Sequence, residues 1–172
     1  KLDFLIQSLV KLSRMESGII AVHSEDTTIK QMLESIQQQF NVKVREKNIT
    51  LSLCDTDLHV RCDSKWTVEA LGNIVDNAIK YTEHGEISVS AISYEMFVRI
   101  DIADTGYGIR EEELPKIFMR FYRSELVKDE EGVGIGLYLT REILQEQGGY
   151  IKVSSVYGQG SKFSIYLPKN NF

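Results

Sequence analysis

Apolar and polar positions along the chain switch between two periods, and the switches mark out the elements. In residues 1–17, KLDFLIQSLVKLSRMES, Leu2, Leu5, Leu9 and Leu12, with Ile19 beyond, fall at alternating three- and four-residue steps, the spacing of a helical seam. Gly18 supplies a stop. Such a seam either folds onto its own domain or meets a second helix, and periodicity alone does not choose. After a short extended piece, TTIKQMLESIQQQFNVKVREKN predicts a second helix with Ile29, Met32, Leu33, Ile36 and Phe40 on one face. ITLSL and LHVRC then alternate as half-buried strands do, with a turn at residues 55–57 between them. Residues 64–82 return to helical spacing through Trp66, Leu71, Ile74, Val75 and Ala78, and EISVSAISY and FVRIDIAD form a hairpin closing around Glu95 and Met96. From residue 105 to 134 the pattern fails, apart from a short apolar helix near residues 114–121. Compact domains seldom carry so long an irregular segment without a use for it. Residues 135–147 read as a helix, and YIKVSSVYG and SKFSIYLP as a closing hairpin.

Helices interleaved with antiparallel strand pairs predict an α/β fold, a two-layer sandwich in which one mixed, mostly antiparallel sheet carries helices on one face. An N-terminal helical arm is added to it. With 172 residues, 42% of them apolar, the chain can build one full core and a small appendage. The formal charge is −5, from 25 acids and 20 bases, and no long basic run is present, which argues against nucleic acid as the main partner. Cys54 and Cys62 have no metal-type spacing and are too few for a disulfide scaffold, so a cytoplasmic home is expected. No apolar run is long enough to span a bilayer and no secretory leader is evident, so no membrane contact is expected of these residues. The chain starts inside a helical pattern at Lys1, as a piece of a longer protein would.

Three clusters carry candidate chemistry. On the helix ending at Tyr81, Asn73 and Asn77 stand four residues apart on one face, with Lys80 and Tyr81 a turn further on. An Asn oxygen suits Mg²⁺, which keeps few protein ligands beside phosphates and water, and a lysine alongside meets phosphate as a point charge. The same stripe by itself also fits a helix face turned to solvent. In DIADTGYGI a strand ends at Asp104 and breaks into Gly106 and Gly108. A carboxylate fixed there can accept from an exocyclic amine, glycines let backbone approach a flat ring, and Ile109 supplies an apolar wall; as a turn, Asp-x-Gly is commonplace. In EGVGIGLYLTREIL, Gly132, Gly134 and Gly136 lead into a helix whose free N–H groups form a ready anion site. This is neither a Gly-x-Gly-x-x-Gly fingerprint nor a Walker lysine loop. Ahead of it, IFMRFYRSE sets Arg120 and Arg123 among aromatics, within reach of phosphates or simply of water.

Taken in order, these residues resemble the catalytic and ATP-binding domain of sensor histidine kinases, in the wider ATPase group of type II topoisomerases and Hsp90 chaperones. NIVDNAIKYT resembles the N box, DTGYGI, GVGIGL and GQGSKF the three glycine boxes, IFMRFYR the F box, and LSRMESG the end of the second helix of the dimerisation hairpin. The resemblance implies a Bergerat-type sandwich over residues 21–172, with residues 1–20 as the end of that hairpin helix. It implies that Asn77 ligates Mg²⁺ and Asn73 helps near the phosphates of ATP, that Lys80 contacts phosphate, and that Tyr81 packs on the nucleotide. Asp104 takes the adenine amino group, with Gly106, Gly108 and Ile109 shaping that pocket. Gly132, Gly134 and Gly136, with Val133, Ile135 and Leu137, wrap the triphosphate; Arg120 or Arg123 steadies its end, and Phe121 belongs to the same flap. Ser161 stands where the family usually has Thr, and Glu131 replaces a frequent glycine ahead of an acidic, short lid at residues 124–131. Asp104 and Asn77 are expected to open onto one pocket.

The family phosphorylates a histidine in a His-Glu setting followed by Pro. Here His23, His59 and His84 lack a following Glu, and Pro115 and Pro168 are far from all three. The acceptor is therefore expected on another helix of the parent protein, with a response regulator downstream, a homodimer as the intact kinase, and the parent anchored in the cell membrane. Two other readings stay open: a non-catalytic module switched by ATP, and an ATPase clamp of the same fold group.

Overall fold

The computed structural model describes residues 2–17, 21–127, 132 and 134–169, apart from the side chains of residues 2, 4 and 15. Among the described residues four α-helices are formed: α1 (Leu2–Glu16), α2 (Ile29–Glu46), α3 (Ser64–Tyr81) and α4 (Gly136–Glu146). Seven strands accompany them: β1 (Glu25–Thr28), β2 (Ile49–Leu53), β3 (His59–Cys62), β4 (Gly85–Ser93), β5 (Phe97–Asp104), β6 (Tyr150–Val156) and β7 (Gly160–Pro168). The stop at Gly18 and the last seam position, Ile19, lie outside the described residues, as does the side chain of Leu2.

Five strands form one sheet in the order β2-β4-β5-β7-β6. Neighbours are antiparallel except β2 and β4, which run parallel with Ile49 opposite Gly85. The helices α2, α3 and α4 cover one face, as the two-layer reading requires. Alternation puts Ile87 and Val89, Val98, Ile100 and Ile102, and Phe163, Ile165 and Leu167 on that face, where they are buried with Ile36, Phe40, Ile74 and Ile79 of the helices. A smaller patch, Ala70, Leu139 and Ile143 against Trp66, joins α3 to α4.

Two features depart from the pattern-based expectation. The successive strands β2 and β3 do not share a sheet: β3 leaves to pair antiparallel with β1 in a separate two-stranded sheet. The short helix expected near residues 114–121 is instead a 3₁₀ segment at Glu111–Lys116, and a second follows at Glu125–Val127. Pro115 sits inside the first, and its missing N–H and fixed ring suit a short tight segment better than a continuing α-helix.

The arm divides its apolar seam. Leu12 is buried at 5% exposure on the side that meets α4, whereas Ile6, Leu9 and Val10 remain exposed. The side through Leu12 thus folds onto the chain's own domain, as one of the two readings of the seam requires.

Candidate functional site

The helix α3 starts on Asp63, whose carboxylate accepts from the N–H of Trp66 at 3.1 Å. Its buried side carries Leu71, Ile74, Val75 and Ala78, which leaves Asn73, Asp76, Asn77 and Lys80 on the flank that opens toward the start of α4. There a cavity of about 160 Å³ is walled by Asn73, Asn77, Lys80 and Tyr81 of α3, Arg123, and Gly132, Gly134, Ile135, Gly136 and Leu137. Ten of the residues singled out in the sequence thus meet on one wall.

The start of α4 has no side-chain cap, so its first N–H groups are available to an anion. Asn73 anchors this end by donating to the carbonyl of Gly136 at 3.1 Å. The glycine loop is held against its neighbours: the N–H of Phe121 donates to the carbonyl of Gly134 at 2.7 Å. Gly134 has φ +79°, and a Cβ there would lie 2.7 Å from the backbone of Phe121 and Tyr122. A Cβ on Gly132 would lie 2.9 Å from Lys80 Nζ. Side chains would fill this cradle, so glycines keep it open for something else.

Charge in the cavity is balanced internally. Lys80 is ion-paired with Asp76 at 2.9 Å, and Asp76 also takes Lys43 at 2.5 Å. Lys80 therefore has a protein partner and is not left to a ligand alone. Burial works to raise the Asp76 pKa, but the two lysines outweigh it and hold the carboxyl below its ordinary range. Asn77 is different: among the described residues its amide makes no hydrogen bond, although it is only half-exposed and faces the cavity.

The second glycine cluster lies beside the cavity and not on its wall. Asp104, Gly106, Gly108, Ile109 and Ser161 are all absent from the lining. They form their own group at the sheet end: Asp104 is opposite Ser161 in the β5–β7 register, and its carboxylate accepts from the N–H of Gly106 at 2.9 Å. The N–H of Ile109 donates to Ser155 Oγ at 2.7 Å, and Ser155 in turn is 2.8 Å from Ser161 Oγ. Tyr81 connects the two groups. It lines the cavity, its carbonyl accepts from the N–H of Tyr107 at 2.8 Å, and its phenol is pushed up by burial, with the charges of Glu113 and Asp104 adding to the rise. Burial likewise raises the Asp104 carboxyl, against the lowering effect of the Gly106 and Ser161 N–H groups.

Sequence reasoning missed what closes this end. Glu113, buried at 9% exposure, accepts from Tyr122 Oη at 2.7 Å and from Ser124 Oγ at 2.9 Å. Tyr122 and Ser124 both line the cavity, so this carboxylate fixes the root of the segment after the aromatic box. The cavity is smaller than the roughly 300–1,000 Å³ usual for ligand pockets, and Tyr81, Tyr122 and Ser124 share its wall, with Ser124 hydrogen-bonded to the Tyr81 side chain. Also missed were Ser8, Lys11 and Glu69, which line the opposite end. Glu69 was findable, since it stands four residues ahead of Asn73 on the same stripe.

Arg120 turns away from the cavity. It pairs with Glu16 of the arm at 2.5 Å and lies over the Tyr138 ring at 4.8 Å. Phe121 is exposed and adopts φ +64°, while Arg123 stays on the cavity wall and donates to the Val127 carbonyl at 2.9 Å. Val133 and residues 128–131, the second half of the acidic lid with Glu131, lie outside the described residues.

A family model described as histidine kinase-, DNA gyrase B-, and HSP90-like ATPase matches residues 62–171, from the end of β3 through β7. The chain belongs to that ATPase family. The adaptive-response sensory kinase SasA of Crocosphaera subtropica is 34% identical over 168 residues, covering 95% of this chain and 44% of that protein. The sensor protein SrrB of Staphylococcus aureus is 31% identical over 174 residues, covering 98% of this chain and 30% of that protein. The chain therefore spans less than half the length of these relatives. Among solved structures, the Acinetobacter baumannii histidine kinase AdeS superposes with a TM-score of 0.83 at 26% identity, covering 99% of this chain and 79% of that one. The catalytic domain of histidine kinase ThkA gives 0.75 at 28%, covering 87% and 99%. The ATPase-family module with its five-stranded sheet is thus an ATP-binding domain of the Bergerat type, as found in histidine kinases. Among the described residues no helix is long and apolar enough to cross a membrane.

Proposed function

We propose that this ATP-binding domain is the catalytic part of a two-component sensor histidine kinase, presenting the γ-phosphate of Mg–ATP to a histidine on another helix of the parent protein. The observation that carries the reading is the cavity that gathers Asn77, Lys80, Arg123 and the glycines ahead of α4 in one place. In this reading residues 1–20 end the second helix of the dimerisation hairpin and residues 21–172 form the catalytic domain. The parent is a membrane-anchored homodimer that hands its phosphoryl group to a response regulator.

The donor set fits a magnesium nucleotide. Asn77 offers a neutral oxygen that no described residue engages, facing a space bounded by helix N–H groups, a lysine and an arginine. One such oxygen suits Mg²⁺, which takes most of its ligands from phosphates and water. When bound, Mg²⁺ neutralises charge on the phosphate oxygens. The chain's own contribution is positioning. Asn73 holds the start of α4, the glycines admit the triphosphate to backbone N–H groups, and Arg123 and Lys80 supply positive charge beside it. Asp104, Gly106, Gly108, Ile109 and Ser161 recognise the purine, with Tyr81 packing on the ring. Phe121, Arg120 and Val133 act through the flap that carries them.

Calorimetric titration with Mg–ATP tests the site. Micromolar binding at most is expected, because association costs freedom of the ligand and of the side chains that close on it, and Asn77→Ala should weaken it at least tenfold in Mg²⁺ while changing little in EDTA. Equal binding by both proteins in Mg²⁺ would remove Asn77 from the metal site. Supplying the histidine-bearing hairpin then tests transfer, through acid-labile, base-stable phosphate on the hairpin.

A further inference from the structure

The arm contributes to the cavity. Ser8 and Lys11, one turn apart on α1, both line it. Lys11 Nζ lies 2.6 Å from Glu69 Oε1, and Glu69, Asn73 and Asn77 follow at four-residue steps down one side of α3. The helix is seated firmly enough to hold this position: Leu12 is buried, Glu16 pairs with Arg120 at 2.5 Å, and Tyr138 Oη donates to Glu16 at 3.4 Å.

The order of residues along α3 gives the cavity a direction. Tyr81, next to Asp104 and the purine-side glycines, ends the helix; Lys80 and Asn77 come next, then Asn73 beside Gly136, and Glu69 with Lys11 last. At about 1.5 Å per residue, Glu69 and Tyr81 are separated by roughly 18 Å along the axis. Lys11 thus stands at the end farthest from the purine side, where the last phosphate of an extended nucleotide arrives.

Electrostatics make Lys11 free to change partners. The side chains of Lys11 and Glu69 are 43% and 32% exposed, and a pair so open to water is weakly held. Its competitor is a multiply charged anion in a partly enclosed space, where charge-assisted hydrogen bonds are stronger. If Lys80 turns to phosphate, Asp76 retains Lys43. No such second cation is paired with Glu69 among the described residues, so Glu69 works purely as the resting counter-charge for Lys11.

We propose that Lys11 is a ligand of the terminal phosphate, exchanging Glu69 for a phosphate oxygen, so that a nucleoside triphosphate ties the arm to the cavity and a diphosphate does not. The proposal rests on the nucleotide reading above. It makes α1 a reporter of which nucleotide is bound: after the phosphoryl group leaves, Lys11 returns to Glu69 and the arm loses one of its ties.

The test is calorimetric titration of the full chain with Mg²⁺ plus a non-hydrolysable ATP analogue, and separately with Mg–ADP, for the native protein, Lys11→Met, Lys11→Arg and Glu69→Gln. Lys11→Met should weaken the triphosphate about tenfold, the effect of one charge-assisted contact, while leaving ADP within about twofold. Lys11→Arg should restore most of the difference, and Glu69→Gln should tighten the triphosphate by removing the competitor. An unchanged preference for triphosphate over diphosphate in Lys11→Met overturns the proposal and leaves the nucleotide site standing. If the native chain binds neither nucleotide, the nucleotide reading fails and this inference falls with it.

Discussion

Replacing Gly106 with Ala tests whether the purine-side loop and the end of α3 form one unit. A Cβ at residue 106 would press deep into the Tyr81 carbonyl, lying 2.7 Å from its carbon and 2.8 Å from Thr82 Oγ1. Both obstacles are anchored. Tyr81 and Thr82 are buried, and the Tyr81 carbonyl already accepts from the N–H of Tyr107 at 2.8 Å. Relief requires the loop to move by around 1 Å, which breaks that bond and the Gly106 N–H bond to the Asp104 carboxylate. An unsatisfied buried carbonyl costs about 1–3 kcal/mol and a charged hydrogen bond contributes about 1.5–3 kcal/mol, so a loss near 4 kcal/mol is expected. Gly158→Ala provides the control: its φ is +89° with nothing within 4 Å of a Cβ, so only the left-handed backbone, about 1–2 kcal/mol, is charged against it. Urea unfolding monitored by circular dichroism reads the difference directly. At an m-value near 2 kcal/mol/M the midpoint should fall by about 2 M for Gly106→Ala and by about half a molar unit or slightly more for Gly158→Ala. Equal shifts in the two variants would refute the reasoning, because the steric contact is what separates them.

Other perturbations probe the neighbouring groups. Glu113→Ala strips the acceptor from the Tyr122 and Ser124 hydroxyls, and since one Glu113 oxygen is itself buried without a hydrogen-bond partner among the described residues, the net loss should be about 2 kcal/mol, a fall of roughly 4–8 °C in thermal midpoint. A melt within 1 °C of the native protein would show that the bonds to Glu113 do not hold that segment. Asp104→Asn addresses pH: burial raises the folded-state pKa of Asp104 above its unfolded value, so the charged form costs stability above that window. The variant should therefore gain on the native protein as pH rises from about 4 toward neutrality while losing purine binding, and a stability difference that is flat with pH would count against the buried-carboxylate account.

Local pattern carried most of the architecture. The hairpins β4–β5 and β6–β7 are joined by short turns, so alternation and turn residues sufficed to recognise them. The faces of α2 and α3 were equally plain, because Ile29 to Phe40 and Leu71 to Ala78 repeat at helical spacing. The β2–β4 and β1–β3 pairings were not legible: each partner is distant in the chain, and a strand's period is the same whichever neighbour it takes. At the site, the asparagine stripe and the glycines before α4 announced themselves by spacing, whereas the neutralisation of Lys80 by Asp76, four residues earlier on the same helix, was not read from it. Glu113 and Lys11 had no such signal. What they touch is decided by how the irregular segment and the arm fold back, which no window of neighbouring residues contains.

The seat of α1 has a consequence for biosynthesis. Its ties reach Glu69 across a separation of 58 residues and Tyr138 across 122. A ribosome that has just released the first helix has made none of the surface on which it rests, and the last part of that surface emerges only with α4. The leucine-rich segment can therefore take its seat on α4 only after that helix has been made and the long chain loop between them has closed. Among the described residues its seat rests on a few polar contacts and one buried leucine, so it forms only together with the late part of the chain.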